Sequence, residues 1–309
     1  MHPGWQMQKV VRRTGVESRH WSAPDETALD LGEAACRELQ RRGVDLSRVG
    51  AVLFCTQTPD HVMPPNACLL QYRLGLPSQV AALDFSLACS GFVYGLYLAR
   101  SLIISNTTEQ VLLVTAETYS KIMNPDDRGP ATLFGDGGAA TLISAGRDAI
   151  GPVTVATDSE GAAHLMVKAG GARVPRSSST CVPERDKNGN YRSAEQLYMN
   201  GAAIVDFVKK EVPSVIESVL RDAKLTLDDV DLVVFHQASK LTLDFLHEHL
   251  GIPPEKQYLN LERIGNTVSA SIPLALEEAE RVGRLRPGMR VLVVGFGVGL
   301  SWGGCLIDW

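Results

Sequence analysis

No apolar run of this 309-residue chain approaches the roughly 20 residues that a membrane-crossing helix needs, so no helical span is expected. Basic residues are not in excess either: 30 Lys and Arg stand against 35 Asp and Glu, a net charge of −5. That balance removes the electrostatic case for a nucleic-acid partner. The six cysteines follow no metal-ligand spacing, and no secretory leader precedes them. A reduced, cytoplasmic setting with neither metal nor bound cofactor is the expectation. What is present is a chain 45% hydrophobic and 21% charged, enough to bury a large core and longer than one compact domain usually runs, so two fused halves are expected.

One cysteine stands apart. An isolated cysteine is most often inert core, and Cys36, Cys55, Cys68, Cys181 and Cys305 are assigned there. Cys89 lies in "DFSLACSGFVYGLYLA", among small residues at a strand-to-helix turn, where a helix N-terminus lowers a thiol pKa and leaves room for an acyl chain. Far downstream come "FHQAS" with His236 and "RIGNTVSASIPLAL" with Asn266. Each alone reads as a satisfied core residue. Together, a soft nucleophile, an imidazole and a carboxamide suit thioester chemistry, with His236 and Asn266 able to hydrogen-bond a carbonyl oxygen that becomes negative.

In six motifs the chain resembles the β-ketoacyl-acyl-carrier-protein synthase III family of the thiolase superfamily: "RRTGVESRH" at 12–20, "ACSGF" at 88–92, "DDRGPATLFGDGGAA" at 126–140, "HQAS" at 236–239, "GNTVSASIPLAL" at 265–276 and "GFGVGLSWGG" at 295–304. The resemblance implies a duplicated, five-layered αβαβα fold with mixed sheets. It makes Cys89 the acylated nucleophile, His236 with Asn266 the decarboxylation site, and the backbone N–H groups of Cys89 and Val298 the oxyanion donors. Val298 stands where the family has glycine, so its φ must be one a side chain allows. Arg13 and Arg128 fall where the family grips coenzyme A. Lys9 replaces the aromatic residue that would stack on adenine, with Trp5 nearby. Met63, in "TPDHVMPPNA", falls where a loop residue crosses a homodimer interface into the partner's acyl pocket. An acyl-coenzyme A donor, a malonyl thioester and an acyl carrier protein are the implied partners. Basic residues usual at the carrier surface are replaced by Asp206, Leu241, Glu248 and His249, while Lys209, Lys210 and Lys240 form a shifted patch. Ser239 replaces the common Asn after "HQA". These departures favour a specialised member.

The chain also repeats itself. "LSRVGAVLFCTQ" at 46–57 and "LDDVDLVVFHQA" at 227–238 are offset by 181 residues, and "QVLLVTAE" at 110–117 and "RVLVVGFG" at 290–297 by 180. Nearly equal offsets imply a duplicated α/β unit, divided here at 1–150 and 151–309, with buried strands alternating with helical stretches such as 28–43. The segment 168–196, rich in Gly, Pro, Ser and charge, reads as an insertion with a tight turn at "KNGN", equally a cap that alters substrate choice or a solvated excursion. "FGDGGAA" lacks the lysine of a phosphate loop and is assigned to tight turning and close backbone approach. Family members carry a strand before "RRTG", inside the first sheet, where this chain has only "MHPGWQMQKVV". A late-called or truncated start is therefore expected. An acyltransferase that does not decarboxylate and a noncatalytic dimerising subunit remain as alternatives; Asn266 argues against the first, and retention of all three site residues against the second.

Overall fold

The computed structural model describes residues 4–146, 149–186 and 189–309. The first half runs α1 (Met7–Thr14), α2 (Ala28–Arg41), β1 (Ala51–Cys55), α3 (Asn66–Leu74), β2 (Ala81–Phe85), α4 (Gly91–Ile104), β3 (Gln110–Glu117), α5 (Arg128–Ala131) and β4 (Gly137–Ser144). The second opens on β5 (Ile150–Thr157), followed by the short strands β6 (Leu165–Met166), β7 (Glu184–Arg185), β8 (Tyr191–Arg192) and β9 (Tyr198–Met199). It continues through α6 (Gly201–Ala223), β10 (Leu232–Phe235), α7 (Lys240–His249), α8 (Leu261–Ile264), α9 (Ser271–Arg281), β11 (Arg290–Gly297) and β12 (Ser301–Asp308).

Two mixed sheets form, in the orders β2-β1-β3-β4 and β10-β11-β12-β5. Each has parallel strands at one side and an antiparallel ladder at the other. Helix α4 is largely apolar because it lies between the sheets, packing on β1 and β3 and on β5, β11 and β12, with Tyr97, Ser101 and Ile104 left exposed. Its neighbour α9 bridges β4 and β10. Outside the first sheet lie α2 and α3, and outside the second lies α6, which completes five layers. The α2 start is local chemistry: Asp30 accepts the Thr27 N–H at 2.9 Å while the Thr27 hydroxyl caps the Asp30 N–H.

Between the layers are three apolar cores. Leu29, Phe54, Leu70 and Val114 fill the outer one of the first half. Phe92, Leu96, Ile272 and Val293 fill the centre, and Val215, Ile216, Phe235 and Phe296 belong to the one that reaches the site. The "FGDGG" glycines permit close approach, as expected: a Cβ on Gly135 would lie 2.4 Å from the Ile264 carbonyl oxygen, and one on Gly138 2.9 Å from that of Leu31.

One expectation changes. Residues 7–14 are helical and supply no strand, and among the described residues the first sheet has four strands, with β4 at its edge. The strand expected inside that sheet has its counterpart in β5, which pairs with β12 alone. The position is thus a sheet edge, where one side of pairing is required. Alongside the free edge of β4 runs an apolar channel of about 950 Å³, lined by Leu39, Phe92, Ile103, Leu274 and Ile307 among others. Of the turn expected at "KNGN", Lys187 and Asn188 lie outside the described residues; β7 and β8 pair antiparallel on either side of it.

Phe54 is fully buried, and its ring fills the space left by Gly32 under α2. Phe54→Ala is expected to lower stability by about 3–5 kcal/mol through the cavity it opens, measured by denaturant unfolding.

Candidate active site

Cys89 sits in a single 3₁₀ turn, Ala88–Ser90, that leads directly into α4. The turn is bent by Ala88 at φ 43°, a left-handed conformation for which a small side chain is the least costly non-glycine choice. Ser90 secures it by donating to the Leu87 carbonyl at 2.9 Å and meeting the Ser301 hydroxyl at 2.7 Å. The end of β11 comes close: a Cβ on Gly297 would stand 3.0 Å from the Cys89 Sγ. That strand pairs with β10, and the residue following β10 is His236, whose N–H donates to Val294.

His236 is buried, with Phe296 edge-on to its ring at 5.5 Å. Burial drives its pKa down to about 3, so the imidazole is neutral at working pH. The Ser271 hydroxyl lies 2.7 Å from Nδ1 and can donate to it; in that tautomer the remaining proton is on Nε2. The Asn266 Nδ2 stands 3.3 Å from that Nε2. Its own Oδ1 accepts the Val268 N–H at 2.9 Å and one Nδ2–H reaches the Ala238 carbonyl at 3.4 Å, which leaves the other N–H of the carboxamide to donate. The Asn266 backbone donates to the Leu133 carbonyl at 2.9 Å, and its carbonyl accepts from Gly135. Two neutral donors therefore converge at one buried point beside the "FGDGG" turn.

Cys89 departs from one expectation. It is 4% exposed, and burial, with Glu117 nearby adding to it, pushes the thiol up rather than down. The helix N-terminus is present; desolvation outweighs it in the free protein. The assignment of all five other cysteines to the core is also corrected. Cys36, Cys55 and Cys305 are buried, whereas Cys68 and Cys181 are exposed. Cys68 is on α3 and Cys181 on the 168–196 excursion, and neither segment's composition signals which face looks outward.

Arg13 and Arg128 meet in a cavity of about 1070 Å³, with Lys9, Thr132, Asn190, Asp206, Ser239 and Leu241 also in its wall. Leu133, which accepts the Asn266 N–H, lines it too, so the cavity opens above the donors. Residues 168–196 help to build this mouth. Arg192 on β8 joins buried Asp127, which caps the helix carrying Arg128; it also pairs with Asp186 at 2.7 Å and lies over the Tyr198 ring. Two of the three lysines of the shifted basic patch are engaged locally, Lys240 with Asp244 and Lys210 with Glu211, and Lys209 lies over Phe245. Val298 follows β11 and has no positive φ, so its side chain meets no backbone penalty. Met63 does not line this mouth and is 79% exposed. Among the described residues no cluster of His, Cys, Asp and Glu could hold a metal, and no helix is long and apolar enough to cross a membrane.

A buried cysteine at a helix start and a buried pair of neutral donors, carried on two duplicated α/β halves, are the arrangement of an acyl-transferring condensing enzyme of the thiolase superfamily. Residues 83–161 match the family model described as 3-oxoacyl-[acyl-carrier-protein (ACP)] synthase III, and residues 220–309 match its C-terminal counterpart. The β-ketoacyl-[acyl-carrier-protein] synthase III of Rhodopirellula baltica is 36% identical over 97% of this chain and 90% of its own. That of Symbiobacterium thermophilum is 38% identical over 97% and 89%. A crystal structure of a 3-oxoacyl-(acyl-carrier-protein) synthase III superposes with a TM-score of 0.97 at 44% identity, covering 100% of this chain and 93% of that one. The chain belongs to the β-ketoacyl-acyl-carrier-protein synthase III family.

Sequence reading missed Ser271 and Glu117. Ser271 had a usable signal, a hydroxyl five residues after Asn266 at a helix start; Glu117, at the end of an apolar strand, had only its charge. Brief treatment with iodoacetamide at neutral pH is expected to label Cys68 and Cys181 ahead of Cys89, whereas an acyl-coenzyme A labels Cys89 alone. Peptide mapping by mass spectrometry reads both patterns.

Proposed function

We propose that Cys89, His236 and Asn266 carry out a decarboxylating Claisen condensation of an acyl thioester with a malonyl thioester, giving a 3-oxoacyl thioester longer by two carbons. The observation that carries this reading is the donor pair. A neutral imidazole and a carboxamide with nitrogens 3.3 Å apart, both buried, fit a single oxygen that gains charge during the reaction. Fixed donors of this kind act most strongly where water is excluded.

In the first stage the Cys89 sulfur attacks the acyl carbonyl. The tetrahedral oxyanion takes hydrogen bonds from the backbone N–H groups of Cys89 and Val298, and collapse expels the donor thiol, which leaves with the proton from Cys89. In the second stage the carbonyl of a malonyl thioester lies against His236 Nε2–H and Asn266 Nδ2–H. Its carboxylate leaves as carbon dioxide, and the electron pair of the broken bond forms an enolate on that carbonyl. The enolate carbon attacks the acyl-Cys89 carbonyl; the second oxyanion collapses and expels the Cys89 thiolate, which recovers a proton from solvent.

The arginines at the mouth favour acyl-coenzyme A as the donor. Their planar forks suit phosphate oxygens, and Arg13 and Arg128 share one cavity with Lys9. An acyl carrier protein would present the malonyl thioester at the same opening. A homodimer is supported by Val62 and Met63, which are 100% and 79% exposed in the single chain and leave apolar surface to be covered by a second copy. In this reading residues 1–150 supply the nucleophile and 151–309 the donors. A cytoplasmic setting accords with six unpaired cysteines.

Asn266→Ala and His236→Ala are expected to lower condensation by about a hundredfold or more each, while a pulse of acyl-coenzyme A still loads Cys89. Trapped carbon dioxide and intact-protein mass follow the two stages; undiminished condensation by Asn266→Ala would leave acyl transfer without decarboxylation as the activity. Met63→Trp is expected to shift the acyl-length profile toward shorter donors, read from rates with a series of acyl-coenzyme A chain lengths.

A further inference from the structure

The site has a counterpart within the same chain. The turn Val268–Ala270 leads into α9 as Ala88–Ser90 leads into α4, 180 residues earlier, and each turn opens on a non-glycine residue with positive φ, Val268 at 55° and Ala88 at 43°. The two turns touch. Strands β3 and β11 carry the same offset, and their partners β1 and β10 pair in matching register, Ala51 with Val111 and Leu232 with Val291. Position for position, Ser269 matches Cys89, Cys55 matches His236, and Glu117 matches Gly297.

The last correspondence separates the two turns. At Cys89 the strand end is glycine, and a single added carbon there would crowd the sulfur. At Ser269 the strand end is Glu117, fully buried, and its side chain occupies the matching space. One carboxyl oxygen bonds the Ser269 hydroxyl at 2.9 Å; the other accepts the Gln57 N–H at 2.9 Å and lies 3.4 Å from the Thr56 and Thr58 hydroxyls. Ser269 stands between two working residues. Asn266 is three positions before it, and Ser271, which holds His236, is two after.

We infer that Glu117 is a positioning residue: it closes the second turn by filling the space that Gly297 leaves open at the first, and through Ser269 it holds the strained 266–271 segment so that Asn266 and His236 aim at the malonyl carbonyl. The inference rests on the condensation assigned to this site. Burial raises the Glu117 pKa to about 8, so the group is neutral through most of the working range. One oxygen accepts the Ser269 hydroxyl and the other the Gln57 N–H, and an amide of the same shape keeps one of these acceptors without a charge. The acidic groups facing it are Cys55 on β1, Cys89 at α4 and Tyr119 after β3, all with their own ionisation pushed up. Loss of the Glu117 proton above pH 8 places a charge beside them, in the space over which the second turn closes.

The test compares the parent with Glu117→Ala, Glu117→Gln and Ser269→Ala in both half-reactions. Glu117→Ala is expected to lower malonyl decarboxylation by on the order of tenfold to a hundredfold, as loss of aim on an oxyanion does, with acyl loading of Cys89 within about threefold of the parent. Ser269→Ala, which breaks the same link without emptying the space, is expected to show the same selective loss if Glu117→Ala does not fold. Glu117→Gln restores decarboxylation, and its rate lacks the fall above pH 8 that the parent shows. Equal loss of both half-reactions in the Ala variants, no loss in either, or an unchanged alkaline limb in Glu117→Gln overturns the inference. A parent protein that loads Cys89 and releases no carbon dioxide from malonyl-coenzyme A or malonyl-carrier protein overturns the function assignment instead.

Discussion

Exclusion of water from the point where the two sheets meet governs this protein more than any single contact. Behind the α4 and α9 turns a thiol, an imidazole and a carboxylic acid all lie buried, and each is held in its neutral form by the cost of charging it there. A neutral imidazole is what the proposed chemistry asks of His236, since it must donate a hydrogen bond to a developing anion without first having been an imidazolium. The apolar neighbours Phe296, Val268 and Val294 make the pocket dry, and hydrogen bonds to Ser271 and the Val268 N–H then orient what the dryness has neutralised.

Much of this was legible in the chain because it is written in local pattern. The "ACSGF" turn, the spacing of "HQAS" from "GNTVSAS" and the two strand repeats gave the architecture, and the family followed from the motifs. What could not be read were properties that depend on which faces meet. The helix N-terminus at Cys89 argued for a lowered pKa, but its sign is reversed by layers contributed from β11 and from Glu117, distant in sequence. Cys68 and Cys181 look like Cys36 in a sequence and differ only in the way their segments turn. That β5, the counterpart of the strand family members carry ahead of "RRTG", lies at a sheet edge is likewise set by pairing with β12 rather than by its own residues.

The duplicated fold also shows how two similar halves acquire different work. Val268 and Ala88 share a backbone conformation costly to any side chain, yet one turn ends against glycine and the other against a carboxyl group. In the proposed function, a small change at the strand end separates a turn that accepts a substrate from one that does not. The working turn gains space; the other gains an anchor.

Helix α4 is wedged between both sheets with Cys89 just ahead of its start, and of its own residues Tyr97, Ser101 and Ile104, spaced along one side, are exposed. Separating the halves would strip apolar surface from its buried faces. In the proposed reaction, exchange of one thioester for the next therefore falls to the rim, where α1, the Arg128 turn and the segment clasped by Arg192 line the mouth.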